Sequence, residues 1–133
     1  MYPHKGGGGS SGWDEAYLLW PAELIPWDDF RAEAAADDLW RLLQPSLNLE
    51  RDHGSYEVMS MLTLAKVWKH DPEKLARVQE ALVWEATVPT NELGHFGKVW
   101  MKSGSDVVPG ETQPHVWHHA LFYLAALEAF GEK

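Results

Sequence analysis

The chain has 133 residues, of which 45% are hydrophobic and 23% charged, a composition typical of one globular domain and not of a disordered segment. Its 20 acidic and 11 basic residues give a formal net charge of −9, which disfavours binding to nucleic acid or to an anionic membrane surface. There is no cysteine, so disulfides, thiolate metal sites and a cysteine nucleophile are excluded.

Residues 1–12 are rich in glycine and serine, and we expect this segment to be flexible. It lacks the apolar core of a signal peptide, and no later stretch reaches the length of a transmembrane helix. The chain is therefore expected to be cytoplasmic and to have no membrane partner. Residues 13–133 are expected to form one module.

Helical patterns follow one another along most of this module. Pro21 interrupts an apolar stretch and predicts a short helix that breaks there. Asp28 and Asp29 then stand where a helix cap and first-turn acids belong. The residues that recur with helical period and are expected on the apolar face of that helix are Phe30, Ala34, Leu39, Trp40 and Leu43. The predicted longer helices cover about residues 28–44, 55–70, 71–87 and 113–130, the third being capped by Asp71 with Pro72 in its first position.

Residues 89–113 contain much glycine, serine and proline and show no sustained period, which predicts a long loop. Long loops in compact domains are often functional. No segment alternates strongly between apolar and polar residues. The sequence therefore predicts an all-α fold of about four to five helices in antiparallel hairpins.

Three histidines open the last helix. His115 and His119 are four residues apart, the spacing that metal-binding histidine pairs use on one helix face. The pattern also resembles the inverted zincin motif, with His118 in place of the essential glutamate. Because no further motif supplies a third ligand or a base, we expect these histidines to cap the helix or hydrogen-bond at its start, with no metal and no cofactor.

Carboxylates near the long loop are candidates for acid and base chemistry. Inverting glycosidases hold two carboxyl groups about 6.5–9.5 Å apart across the sugar. Glu92 and Glu111 flank the loop, and Asp14 and Glu15 precede the first helix. In so acidic a chain each of them is also explained as a solvated surface group.

Tryptophan is unusually frequent, with eight copies in the chain. Phe96, Trp100 and Trp117 form an aromatic group around the loop, with Lys98 among them. Such a group is typical of a platform for stacking on sugar rings, and equally of a hydrophobic plug that holds a loop down. Lys98 is also explained as an ordinary exposed lysine.

Segments in order from residue 13 to residue 131 resemble the last third of bacterial glucoamylase-type glycoside hydrolases of family 15. WDEAYLLWP is similar to the family's D-A-x-L-L-L-x-P, and IPWDDFR to its L-P-P-D-D-P-R. GSYEVMSMLTLAKVW is similar to the G-A-F-L-L-C-S-F-W-L helix, and QPHVWHHALFYLAAL resembles the F-P-Q-A-F-S-H-x-x-L-I-x-A-A ending. GHFGKV stands where the family carries G-L-L-P-E-Q or G-L-L-A-E-E.

The resemblance implies a partial (α/α)6 toroid with the site at the loop end of its inner helices, and hydrolysis of α-glucosidic bonds with inversion by two glutamates. It places Lys98 at the general-base position, where a protonated lysine cannot deprotonate the attacking water. If this chain is aligned with the family in a shifted register, Glu92 is the nearest residue of the loop that could serve as the base in place of Lys98. The family's acid lies upstream, in a tryptophan–glutamate motif that this chain lacks. We therefore expect a glycoside hydrolase-like module that is inactive alone.

The expected partner is an α-glucan or α-glucoside. The candidate sugar-contacting residues are Trp13, Asp14, Phe96, Trp100, Trp117 and His119. A partial toroid also leaves apolar helix faces uncovered, so we expect self-association or a second chain that completes the ring. The alternative hypothesis is a helical module that binds a protein partner and no sugar.

Overall fold

The computed structural model describes residues 18–48, 53–97, 99–110 and 115–131. This part of the chain is mostly helical, as the sequence predicts. The α-helices are α1 Phe30–Leu43, α2 Ser55–Val67, α3 Pro72–Glu85 and α4 Val116–Phe130, with a short 3-10 helix at Gln44–Ser46 after α1. The strands are β1 His53–Gly54, β2 Val99–Ser103 and β3 Asp106–Gly110.

Two aspartates set the starts of α1 and α3, and both were predicted. The side chain of Asp29 accepts a hydrogen bond from the backbone N–H of Arg31, and that of Asp71 accepts one from Lys74. Pro72 occupies the first turn of α3, where its missing N–H costs nothing. These caps satisfy backbone donors that have no partner within the helix.

Helix α2 forms the centre of the core. All of its residues from Val58 to Ala65 are buried, as expected for a helix that other elements cover on every side. The two polar ones donate their hydroxyl hydrogens to carbonyls one turn earlier: Ser60 to Tyr56 and Thr63 to Met59. The two polar side chains between Val58 and Ala65 therefore form their hydrogen bonds within α2 itself.

Contacts between helix ends give the helix directions. Tyr56 in the first turn of α2 meets Trp117 in the first turn of α4, and Lys66 near the end of α2 pairs with Glu128 near the end of α4. Helices α2 and α4 therefore run parallel. Helix α3 runs against them, because its last residue, Glu85, meets the start of α4 while Gln79 bonds the carbonyl of Ala129 near the end.

The predicted loop 89–113 contains a β-hairpin that the sequence analysis missed. Strands β2 and β3 pair antiparallel from Val99 opposite Gly110 to Ser103 opposite Asp106, and β1 pairs with β2 on its other side. Gly104 in the turn has φ +67°, which a residue without a side chain adopts readily. The fold is therefore mainly helical with a small sheet.

The apolar face of α1 agrees with the prediction at Leu39 and Leu43, which are buried, and differs from it near the start of the helix. Phe30 is 81% exposed and Ala34 is exposed, whereas both were expected to face the core. The buried residues of this helix are Ala32, Ala36, Leu39 and Leu43. The small alanines form the face that packs, and Phe30, as the first residue of the helix, lies outside it.

Helix α4 begins at Val116, three residues later than predicted, with His115 as its cap. None of the helices in the described ranges has both the length and the apolar character needed to cross a bilayer.

Candidate functional site

The candidate site lies at the end of the molecule where α2 and α4 begin. Three segments meet there: the end of α3, the loop 94–97 and the first turn of α4. Two hydrogen bonds from backbone N–H groups hold the loop to α4. The N–H of His115 donates to the carbonyl of Phe96. The N–H of Phe96 donates to the ring of His119.

A buried acid–imidazole pair joins α3 to α4. Nε2 of His118 lies 2.8 Å from Oε1 of Glu85, and the two side chains are 1% and 0% exposed. The ring of Phe96 stacks on the His118 imidazole at 4.7 Å and 16°. Nδ1 of His118 is buried and has no hydrogen-bond partner in the part of the chain that the structure describes.

His119 lies beside this pair and is only partly exposed. Its Nε2 accepts the backbone N–H of Phe96 at 2.9 Å, and its ring meets that of His95 edge-on at 6.1 Å. Burial lowers the pKa of His119 below its ordinary value, and the positive charges that His118 and His95 can carry lower it further. The neutral ring is the form that serves as acceptor for Phe96.

Two of the histidines have the local role that the sequence analysis favoured. Nδ1 of His115 accepts the backbone N–H of His118 and so caps α4. His119 accepts a backbone N–H from the loop. Within the described ranges no three His, Asp or Glu side chains are grouped so as to hold a metal ion.

The aromatic residues of the predicted platform separate into two groups. Trp100 is 3% exposed and packs on Trp84 with ring centroids 5.7 Å apart. Phe96 is half-buried among the rings of His118, His119 and Phe122. Both therefore make the contacts of a plug that holds the loop against the helices.

Trp117 differs, because its side chain remains 38% exposed. Its indole meets the ring of Tyr56, which is 42% exposed, edge-on at 5.5 Å. The ring of His115 also contacts the indole in T-shaped geometry, with the two centroids 6.1 Å apart. Trp117 is the only exposed tryptophan in the described ranges, and the others are buried or half-buried.

Glu92 is exposed in the turn before the site. The side chain of Asn91 organises this turn by accepting the N–H groups of Leu93 and His95. The remaining predicted site residues lie outside the described residues: Trp13, Asp14, Glu15, Lys98 and Glu111.

A second concave region lies at the other end of α2 and α4. It has a volume of about 250 Å³ and is lined by Trp20, Leu62, Lys66, Leu124, Leu127 and Glu128. Glu128 accepts from Lys66 at 2.7 Å and from Lys69 at 2.9 Å. The Lys66 hydrogen bond in particular holds the pKa of Glu128 below its ordinary value.

The sequence analysis did not single out the Glu85–His118 pair. One indication was available: Val78, Leu82 and Glu85 continue one helix face of α3, so a carboxylate stood on an apolar stripe. A buried acid needs a partner, and the partner lies 33 residues away, beyond any local pattern.

Comparisons with protein-family models, curated proteins and solved structures find no match to this chain.

Proposed function

We propose that this chain is a carbohydrate-binding helical module of the glucoamylase type, which binds an α-glucan or α-glucoside without hydrolysing it alone. The helix directions support this proposal. In a toroid of helical hairpins, successive inner helices run parallel and an outer helix returns between them. Helices α2 and α4 run parallel and α3 returns between them, which fits one and a half hairpins of such a ring.

Trp117 is the observation that carries the proposal. Its indole is exposed at the end of the two parallel helices, and the rings of Tyr56 and His115 contact it in T-shaped geometry. The apolar C–H face of a sugar ring stacks on a flat indole, while imidazole groups nearby can hydrogen-bond the hydroxyls. Phe96 and His119 position the adjoining loop, and Trp100 supports it from inside the core.

Catalysis by this chain alone is not part of the proposal. The resemblance places Lys98 at the general-base position, and a protonated lysine cannot accept the proton of the attacking water. Glu92, the substitute, is exposed in the turn preceding the loop. The resemblance begins at residue 13, and the family's general acid lies upstream of the part that it covers.

The test is a titration of intrinsic tryptophan emission with maltooligosaccharides. We expect a saturable change in the wild-type protein, and about tenfold weaker binding in Trp117→Ala, because losing one stacked ring costs on the order of 1 kcal/mol. The matched control is Trp40→Phe, which removes a half-buried indole that packs on Trp68 near the far end of α2.

The control variant should bind as the wild-type protein does. An unchanged emission spectrum up to tens of millimolar sugar in the wild-type protein would overturn the proposal. Equal loss of binding in the two variants would show that Trp117 is not the contact.

A second candidate function is a helical interaction module whose partner is a protein. The observation that favours it is the outer surface of α4, where Tyr123, Leu127 and Phe130 are all at least half exposed. Glucan binding that depends on Trp117 separates the first candidate from the second.

A further inference from the structure

Helix α4 carries a continuous apolar stripe on its exposed side. The stripe consists of Val116, Ala120, Tyr123, Leu127 and Phe130, all of which are exposed. These residues are spaced four, three, four and three apart, the spacing of the contact positions in a pair of packed helices. Leu124 flanks the stripe and is 43% exposed. An exposed helix face normally carries polar residues, and this one carries none that is charged.

The one carboxylate of α4 does not lie on the stripe. Glu128 is the one acidic residue of this helix, which has no lysine or arginine, and it faces α2, where it binds Lys66 and Lys69. The stripe is therefore an uncharged surface on a chain of net charge −9. An uncharged surface is where two such chains approach with the least electrostatic repulsion.

We propose that the stripe is the interface between two copies of this chain, with α4 packed antiparallel on α4 about a two-fold axis at Tyr123. The inference rests on the second candidate function, a partner on α4, and identifies that partner as a second copy. It does not depend on sugar binding.

The residue sizes on the stripe fit this arrangement. Around Tyr123, Phe130 of one copy lies opposite Val116 of the other, and Leu127 lies opposite Ala120, so each large side chain meets a smaller one. Interdigitation of large and small residues is what a packed helix interface requires, and a two-fold interface must complement itself. A parallel pairing would oppose Phe130 to Phe130 and Ala120 to Ala120. The antiparallel pairing also brings opposite ends of the two helix dipoles together.

The area is sufficient for a stable pair. From their exposed fractions, the stripe and Leu124 present roughly 600 Å² of side-chain surface per copy, near the roughly 800 Å² per partner of a standard interface. The side chains of neighbouring elements at the rim add to this value. An interface of this size fits a reversible dimer, and its affinity depends on how well the side chains pack.

The first test is the molar mass by sedimentation equilibrium. We expect a dimer for the wild-type protein and at least a hundredfold weaker association for Tyr123→Glu, which places two carboxylates at the axis. The matched control is Val83→Glu, at an apolar residue of α3 that is 61% exposed, similar to the 63% of Tyr123. The control should remain dimeric, and circular dichroism should show all three proteins folded.

The second test uses the absence of natural cysteine to map the orientation. Tyr123→Cys should form a disulfide-linked dimer on mild oxidation, since the two residues meet at the axis. Val116→Cys and Phe130→Cys should not link to themselves, because seven residues along a helix place each about 10 Å from the axis. An equimolar mixture of these two variants should link to one another.

The outcomes separate the alternatives. A wild-type monomer at 100 µM overturns the proposal and leaves the Trp117 titration as the independent test of glucan binding. Self-linking of both Val116→Cys and Phe130→Cys shows a parallel pair and overturns the antiparallel arrangement. A dimer that Val83→Glu dissociates and Tyr123→Glu does not would place the interface on another face, which overturns α4 as the binding surface altogether.

Discussion

Glu85 and His118 are buried polar groups joined by a hydrogen bond across two helices. Replacing Glu85 leaves Nε2 of His118 without this bond in a site that water does not reach. We expect Glu85→Leu to lower the free energy of unfolding by about 3 kcal/mol. Urea denaturation measures this change. Glu80→Leu is the control, since Glu80 is exposed on the same helix and its loss should cost less than about 0.5 kcal/mol.

The double variant tests whether the pair itself is responsible. Glu85→Leu with His118→Leu removes both polar groups, so neither is left unsatisfied. Its loss of stability should be smaller than the sum of the two single losses. Simple additivity would contradict the pairing of the two side chains.

His119 makes stability depend on pH. Its pKa is lowered in the folded protein, so the unfolded chain binds the proton more readily and stability rises with pH through this range. The contribution is complete above the ordinary value of 6.5 and is lost as the pH falls through the folded value. Wild-type protein should therefore have a lower urea midpoint at pH 5.5 than at pH 7.5.

Two variants at this position isolate the effect. His119→Gln keeps an acceptor for the N–H of Phe96 and cannot titrate, so its midpoint should change less between the two pH values. His119→Ala loses the acceptor and should be less stable than the glutamine variant at pH 7.5. An unaltered pH dependence in both variants would show that other groups cause it.

At the scale of elements, local chemistry decided which parts of the fold could be predicted. Asp71 followed by Pro72 specifies a helix start by itself, and α3 begins there. Asp29 does the same for α1. The buried face of α1 could not be predicted as well, because alanine is compatible with either side of a helix and the packing partners are distant in sequence.

The β-hairpin was missed although its turn has a recognisable pattern. Gly104 and Ser105 connect two five-residue strands, and a glycine with positive φ in the first position is typical of a two-residue hairpin turn. Proline is disfavoured within strands because it cannot donate a backbone hydrogen bond, and Pro109 lies in β3. It is tolerated because β3 lies at the edge of the sheet, where one side of the strand needs no ladder partner.

The candidate site was predictable only in part. The histidines were expected to cap α4 or to hydrogen-bond at its start, and His115 does cap it, although the helix begins three residues later than predicted. The stacking of Phe96 on His118 and the bond to Glu85 join segments 22 and 33 residues apart, and only the packing of α3 against α4 brings them together.

Ion pairs between side chains, as well as apolar packing, hold α4 to α2. Glu128 binds two lysines, and Lys66 lowers its pKa, so this contribution is present above the ordinary value of 4.5 and is lost as the pH falls through the folded value. We expect Glu128→Gln to lower the free energy of unfolding at pH 7 by about 1 kcal/mol, since the three groups are partly buried. Thermal unfolding at several pH values measures it.

The control is Asp38→Asn, which breaks the exposed Asp38–Arg41 pair. Such a pair contributes little, so its loss should change stability by less than about 0.5 kcal/mol. The difference between the two variants should shrink as the pH falls below 4.5 and vanish below the folded pKa of Glu128, where the carboxyl is protonated in both states. A difference that persists there would assign the loss to packing of the side chain.

At the scale of the whole molecule, the proposed module supplies only part of a toroid. Under the proposal, we expect the chain alone to release no glucose from maltooligosaccharides, because the acid-bearing part of the family lies upstream of the region that this chain resembles. Lys98→Glu should restore hydrolysis only when that part is supplied as a second chain. A coupled glucose assay measures it, and activity of Lys98→Glu by itself would contradict this account.

The parallel helices α2 and α4 are fastened at both ends. Tyr56 meets Trp117 at one end, and Lys66 with Lys69 holds Glu128 at the other. Sliding one helix along the other would break the aromatic contact and the ion pairs together, so the contacts at the two ends jointly oppose a change of register between α2 and α4.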